Sequence, residues 1–443
     1  MKTLTTKWYS IAEQYHRYKP YTLKNFMQIP HLSMLSEEQI FAIQVVARVF
    51  PFRTNNYVVN ELIRWEDVPN DPIFILNFPQ KEMLLPHHFE QLSELIKRGA
   101  HEEEINDKVM KIRFELNPHP AGQLECNIPV LDGMEMRGMQ HKYKETVLFF
   151  PSHGQKCHAF CTFCFRWPQF INMSEIKFAM KEIELLIRYV RKHPEVSDIL
   201  FTGGDPLIMS TKMLSSYINP VISANLEHVT TIRIGTKSLS YWPYRFITDH
   251  DADELLELFR RIVQSGKNLA IMAHFSHPRE LMTEAVQRAI ERIKDTGAQI
   301  RTQSPILAHI NDDPNVWAQM WRMQVKLGCI PYYMFQARDT GAQYYFGVSL
   351  ERAWRIFREA YKQVSGMART VRGPVMSAYP GKIEMLGVSE INNEKVFVLR
   401  MLQGRDPNWV LRPFFAKYNG NAIWIDELEP IFSERFLFQN QCQ

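Results

Sequence analysis

The chain has 443 residues, enough for a large core with additions or for two to three domains. Its 45% apolar and 23% charged residues are those of an ordinary soluble globular protein. A net charge of +4, with Lys and Arg dispersed, offers no basic stripe for nucleic acid. The opening run MKTLTTKWYSIAEQYHRYKP has no apolar h-region, so no signal peptide is expected. No stretch approaches the ~18 to 20 apolar residues that span a bilayer.

The first ~125 residues read as mostly helical, with the SEEQ run from Ser36 to Gln39 forming a capping box before an apolar-striped helix. Strand and helix then alternate. The run VLFFP (Val147 to Pro151) predicts a buried strand ending just before a cysteine-rich loop. Apolar residues spaced by three and four predict a helix from about Ser174 to His193. DILFTGG (Asp198 to Gly204) and TTIRIGT (Thr230 to Thr236) predict the second and third strands. NLAIMAHF, QIRTQSPIL and IPYYMFQA supply the fourth to sixth, separated by amphipathic stretches such as DADELLELFRRIVQ. Beyond residue 370, KVFVLRML and AIWIDEL look like short strands.

Six successive β-α units imply an α/β fold with a parallel sheet and helices outside. Six are too few for a closed eight-fold barrel, so a partial (β/α)6 barrel is expected. The division follows: 1–125 a mostly helical N-terminal region, 126–345 the partial barrel, and 346–443 a small C-terminal extension.

Cys157, Cys161 and Cys164 stand at C-x3-C-x2-C spacing in KCHAFCTFCFRW. Three thiolates so placed can hold three corners of a 4Fe-4S cluster and leave the fourth iron open to a small molecule. That suits one-electron reductive cleavage of S-adenosylmethionine to release a carbon radical. The same cysteines with His153 or His158 would also suit a zinc knuckle. Cys126, Cys329 and Cys442 are scattered singly, so no disulfide framework is expected, and a reducing cytoplasm fits. In folds of this class the residues just past the C-terminal strand ends build the active site. The cysteine loop, the GGDP run, the Thr236-Lys237 turn, His274 and Arg338 all fall there.

With these residues in view, the chain resembles the lysine 2,3-aminomutase family of radical S-adenosylmethionine enzymes. The resemblance runs from NPHPAG (Asn117 to Gly122) to Lys382, through the cysteine triplet, TGGDPL, RIGT before Lys237, HFSHP, TQSPIL, and PYYMFQ before Arg338. It implies a radical SAM partial barrel and an isomerase that moves an amino group from the α- to the β-carbon of an amino acid held on pyridoxal phosphate. Gly203, Gly204, Asp205, His274 and Gln303 are the implied contacts to S-adenosylmethionine and its surroundings. The glycines would let backbone amides approach that cofactor, since no Cβ intervenes. Arg166 matches the position that clamps the substrate carboxylate, a task suited to a guanidinium fork. Lys382, in AYPGK, matches the lysine that carries pyridoxal phosphate. The implied partners are a small amino acid, a reductant such as flavodoxin or ferredoxin, and further copies of the chain in a homo-oligomer.

The departures from the family pattern carry information. The phosphate-binding arginines become Lys142 in His141-Lys142-Tyr143, Thr146 and Lys237, and a lysine is a point charge where arginine is a fork. Two aspartates that hold a substrate ammonium are replaced by Arg338, with Asp339 beside it, and by Ser377 or Ala378. Loss of those carboxylates predicts an acidic, glutamate-like substrate in place of lysine. No cysteine cluster near the C-terminus matches the family's structural zinc, so none is expected. Three readings compete: a pyridoxal-phosphate-dependent aminomutase, a radical enzyme of the same fold that has lost pyridoxal phosphate, and a zinc-stabilised binding scaffold.

Overall fold

The computed structural model describes residues 16–123, 126–171 and 179–439. One eleven-stranded sheet organises them, its strands lying side by side in chain order. These are β1 (Met139–Tyr143), β2 (Thr146–Phe149), β3 (Asp198–Phe201), β4 (Thr231–Thr236), β5 (Asn268–His274), β6 (Gln299–Ile306) and β7 (Ile330–Gln336), then β8 (Arg372–Ser377), β9 (Gly381–Ile391), β10 (Glu394–Gly404) and β11 (Pro413–Lys417). From β2 to β8 every neighbouring pair is parallel. The pair β1–β2 and the run β8 to β11 are antiparallel.

Crossover helices cover the outer face, as parallel strands require. In β4 the alternation is plain: Ile232 and Ile234 are fully buried, whereas Arg233 and Gly235 line the inner cavity. The helix Ala252–Gln264 answers with an apolar face of Leu255, Leu256, Phe259 and Ile262. The helix Leu350–Lys362 leads into β8, which pairs parallel to β7 and gives the partial barrel one parallel strand more than expected.

The sheet curls until β1 and the segment before it meet the β8–β9 turn and the end of β10 through side chains. Lys142 on β1 donates from Nζ to the carbonyl of Ala378, just past β8. Arg405, past β10, donates through Nη1 to Cys126 O at 3.0 Å and through Nη2 to Asn127 Oδ1. A partial barrel thus closes by polar bridges where a complete one would close by strand pairing.

Two sequence expectations change. The described helix after the cysteine loop is Ile183–Lys192, and Met180, expected within it, forms an extended bridge with Pro151. The start expected near Ser174 lies outside the described residues. AIWIDEL is not a strand; Ile425–Glu427 is a single 3-10 turn whose N-cap amide and neighbour are held by Glu427 Oε1. The expected capping box does form: Gln39 N donates to Ser36 Oγ at 3.2 Å and Ser36 N to Gln39 Oε1 at 2.8 Å, starting the helix Glu37–Val49.

A continuous apolar core runs from Tyr21 to Val371, and a second packs the C-terminal hairpin around Phe397, Leu399, Trp409 and Trp424. None of the described helices is long and apolar enough to cross a membrane.

One buried ion pair pins the outer layer. Arg245, 3% exposed, donates to Asp251 Oδ1 at 2.7 Å and to Leu207 O at 2.9 Å, while Asp251 Oδ2 accepts from Thr211 N at 2.6 Å. Replacing Arg245 by alanine strands a buried carboxylate, a change that costs about 3–5 kcal/mol. Thermal melts should show a large drop in midpoint for Arg245→Ala. Arg260→Ala, at an exposed pair with Glu257, should stay within about 0.5 kcal/mol of the parent protein.

Candidate active site

The curled sheet encloses a cavity at the C-terminal ends of its parallel strands. Among its lining residues are Cys157, Cys161, Cys164, Arg166, Gly203, Gly204, Lys237, His274, Gln303, Arg338 and Lys382. These predicted residues come from seven separate segments, and the curl brings them to one place.

The cysteine loop is fixed by backbone hydrogen bonds to the turn after β3. Asp205 N donates to Gly154 O at 3.0 Å and to Lys156 O at 2.7 Å. The two glycines permit this contact. A Cβ on Gly203, whose φ is +143°, would lie 2.2 Å from the Gln155 side chain, and one on Gly204 would lie 2.5 Å from Lys156 O. Their smallness lets the two loops pack together, and both glycines also line the cavity.

Asp205 also differs from expectation. It is not among the cavity-lining residues. Its carboxylate accepts from Thr236 Oγ1 at 2.8 Å, Lys237 N at 2.8 Å, Ser238 Oγ at 3.0 Å and Leu207 N at 2.9 Å. Burial raises its pKa, and these donors oppose the rise. With both oxygens occupied by protein donors, Asp205 braces the turns after β3 and β4 and is a positioning residue.

Burial pushes the Cys161 thiol up to about 11 and Cys164 to about 12, and raises Cys157 well above its ordinary value. A metal that binds them must displace their protons. A tetrahedral zinc draws its sulfurs to roughly 3.8 Å from one another, from Zn–S bonds near 2.3 Å. Among the described residues, the three thiols do not all gather within 4.8 Å. The histidines proposed to complete a knuckle point elsewhere: His158 Nδ1 pairs with Ser238 Oγ at 3.0 Å, and His153 Nδ1 with Tyr217 OH at 2.8 Å. The open triplet suits a polynuclear cluster better than one ion.

The charged side chains of the lining are all cations, set among aromatic, apolar and neutral polar groups. Arg166, buried, lies over Phe150 at 4.3 Å and Phe165 at 5.1 Å, and burial with Arg338 nearby lowers it to about 9. Arg338 lies over the same Phe165 ring at 4.4 Å and donates to Ser377 Oγ at 3.0 Å. Its neighbour Asp339 lines no part of the cavity, and its carboxylate lies toward Asn117, whose Nδ2 donates to Asp339 Oδ2 at 3.4 Å and to Asp339 O at 2.8 Å. Arg338 is thus the member of that pair that faces inward.

Lys382 sits at the start of β9, opposite Ser377. It donates to Gln403 Oε1 at 2.6 Å, with the Tyr333 ring 4.8 Å and the Tyr143 ring 5.2 Å from Nζ. Burial, with Arg233 and Arg372 adding repulsion, brings its pKa down to about 7. Lys142 is lowered too, by burial first and then by Arg338, Arg405 and Lys382. Lys237 has a partner that its sequence context does not suggest: Glu280, fully buried, accepts from its Nζ at 2.6 Å. His274 pairs with Ser276 Oγ at 3.2 Å, and burial beside Lys237 holds the imidazole neutral.

Sequence reasoning missed Arg233, Glu280, Gln403 and the tyrosines. Arg233 carried a signal, a charged residue between the two isoleucines of a barrel strand. Glu280 carried none, because its partner lies 43 residues away.

No protein-family model matches the chain. A protein of Aquifex aeolicus, provisionally named an L-lysine 2,3-aminomutase, is 32% identical over 412 residues, which are 93% of this chain and 96% of that protein. This chain belongs to the lysine 2,3-aminomutase family of radical S-adenosylmethionine enzymes. The family's members are isomerases. The L-lysine 2,3-aminomutase of Methanococcus maripaludis is 24% identical over 78% of this chain and 68% of that protein. The Acetoanaerobium sticklandii L-lysine 2,3-aminomutase is 31% identical over 53% of this chain and 54% of its own. Among solved structures, a radical SAM methyltransferase from Sphaerobacter thermophilus matches distantly, with a TM-score of 0.36 and 11% identity over 62% of this chain and 91% of that one.

The lowered pKa of Lys382 makes its reactivity testable without any cofactor. Below about 7 the group is an inert ammonium, and above it a nucleophilic amine. Labelling by an amine-directed reagent, located by mass spectrometry, should rise at Lys382 with a midpoint near pH 7. An ordinary surface lysine follows only near ~10.4.

Proposed function

We propose that this enzyme is a radical aminomutase that uses pyridoxal phosphate to move the α-amino group of an acidic, glutamate-like amino acid to the β-carbon. The observation that carries this reading is the charge of the cavity. Lys142, Arg166, Arg233, Lys237, Arg338 and Lys382 line it, and among the described residues no Asp or Glu does. Asp198 and Glu280 lie behind the lining and pair with Arg233 and Lys237, and Asp198 also favours the charged form of Lys382. The acceptors of Lys142, Arg338 and Lys382 are neutral: Ala378 O, Ser377 Oγ and Gln403 Oε1.

A lysine substrate would bring an ammonium toward Arg338. At ~5 Å and an effective dielectric near 20 the repulsion is roughly 3 kcal/mol. A carboxylate there gains attraction of the same order, so even after desolvation offsets much of the gain, acid is favoured over base by at least about a hundred-fold. Arg166 takes the α-carboxylate as a fork, and Arg338, held in place by Phe165 and Ser377, takes the second carboxylate.

The cysteines fit a 4Fe-4S cluster, which with S-adenosylmethionine supplies the radical. Gly203, Gly204, His274 and Gln303 line the cavity where that cofactor would bind. Lys382 fits the attachment point for pyridoxal phosphate, which supplies an electron sink for the migrating amino group. Lys142 is the cation best placed for a phosphate, since Lys237 is already neutralised by Glu280.

That pairing also favours a second reading, in which pyridoxal phosphate has been lost and the adenosyl radical acts on another substrate. Incubation with pyridoxal phosphate, borohydride reduction and mass spectrometry separates the two. The first requires a label on Lys382 that Lys382→Ala lacks; an unlabelled chain favours the second. Anaerobic turnover with reconstituted cluster and dithionite tests the substrate. Glutamate or aspartate should be preferred to lysine by roughly 100-fold in kcat/KM, and a preference for lysine refutes the acidic reading. Arg338→Ala should raise KM for the acid by about 100-fold, the loss of ~3 kcal/mol from a buried charge pair.

A further inference from the structure

The N-terminal region grips the cysteine loop from outside, and one of its grips is charged. Phe160 N donates to Arg53 O at 2.8 Å. Tyr18 OH and Asn55 Nδ2 donate to His158 O at 2.7 and 3.2 Å, and Asn55 Nδ2 also reaches Tyr241 O at 2.9 Å. Thr162 is held at the loop's far end, its N to Leu76 O and its Oγ1 to Ile75 O. These are neutral, local bonds. The Arg53 side chain adds something else.

Arg53 Nη1 donates to Cys157 O at 3.3 Å, and its guanidinium lies 5.4 Å from the Phe160 ring. Its Nε is buried and meets no acceptor among the described residues. A buried donor left unmade costs ~1–3 kcal/mol, more when charged. The guanidinium thus stands beside a candidate cluster ligand with an N–H to spare.

We propose that Arg53 is an outer-sphere cation for the cluster, holding the loop through Cys157 O and biasing the cluster toward its reduced state. The inference rests on the cluster reading given above. Reduction adds one electron, taken from a low-potential donor, to a cluster already ligated by three thiolates. A fixed cation beside the cysteine loop stabilises the added charge and raises the potential. The role is positioning and electrostatic; Arg53 touches no reacting atom.

The test uses the full chain, reconstituted anaerobically with iron and sulfide, as the parent protein and as Arg53→Gln and Arg53→Lys. Iron content is measured, and mediated dithionite titration followed by electron paramagnetic resonance gives the midpoint potential. At fixed solution potential the reduced-to-oxidised ratio of Arg53→Gln should fall about ten-fold, a shift of about 59 mV to more negative values for one electron. Arg53→Lys, which keeps the charge, should stay near the parent. A parent-like midpoint in Arg53→Gln, or an equal shift in Arg53→Lys, overturns the proposal. If folded Arg53→Gln loads no iron while Arg53→Lys loads fully, the charge is again responsible; loss of iron in both overturns it. Failure of the parent protein to take up iron overturns the cluster reading itself, a separate outcome.

Discussion

The Asp205 carboxylate is the knot on which the site depends. It gathers donors from its own turn, from the end of β4 and from the helical turn that follows, while its backbone N–H holds two carbonyls of the cysteine loop. Three loops from three strand ends are thereby fixed relative to one another through one residue. Each bond to the carboxylate is charge-assisted and sheltered from water, conditions in which such bonds are strongest. The glycines beside it remove the side chains that would hold the loops apart. Chain segments some 80 residues apart in sequence, Cys157 and Lys237 among them, acquire a shared frame in this way.

The cavity opposes its own folding electrostatically. Several cations are buried close enough to lower one another's pKa, and among the described residues Lys142, Arg338 and Lys382 donate only to neutral acceptors. Such an arrangement is costly in an empty protein, and an anionic ligand relieves it. Stored repulsion of this kind is selective, since a bound anion recovers it and a cation adds to it. The aromatic faces of Phe165, Tyr143 and Tyr333 contribute by holding guanidinium and ammonium groups in place without cancelling their charge.

Much of this could be read from the sequence, and the failures have physical causes. The parallel strands were legible because each is a short apolar run followed by a helix of period 3.6. The convergence of the cysteines, Lys237, His274 and Arg338 followed from the rule that strand ends share a rim. Which of Arg338 and Asp339 faces inward was not legible, because one residue of slip past a strand end reverses the direction of a side chain. The N-terminal grip on the cysteine loop was invisible because its acceptors, Arg53 O, Ile75 O, Leu76 O, Cys157 O and His158 O, are all backbone carbonyls, which every residue has. The seventh parallel strand escaped notice because RGPVMS is short and contains Gly and Pro, which normally argue against a strand. Lys237 reads as a phosphate cation because it stands where the family has an arginine after Ile-Gly-Thr, and its pairing with Glu280, 43 residues on, carries no sequence signal.

The strand order divides labour across the barrel mouth. The cysteines, Gly203, Gly204 and Asp205 follow β2 and β3 at one side, whereas Arg338, Ser377 and Lys382 follow or begin β7, β8 and β9 at the other. The second group belongs to a contiguous stretch of fewer than fifty residues, continuous with an antiparallel hairpin that has its own apolar core. Under the proposed function, recognition can diversify in that stretch while the half that carries the cysteines stays as it is. A lineage built on this scaffold can change its substrate by altering a single short module, with no need to reinvent its chemistry.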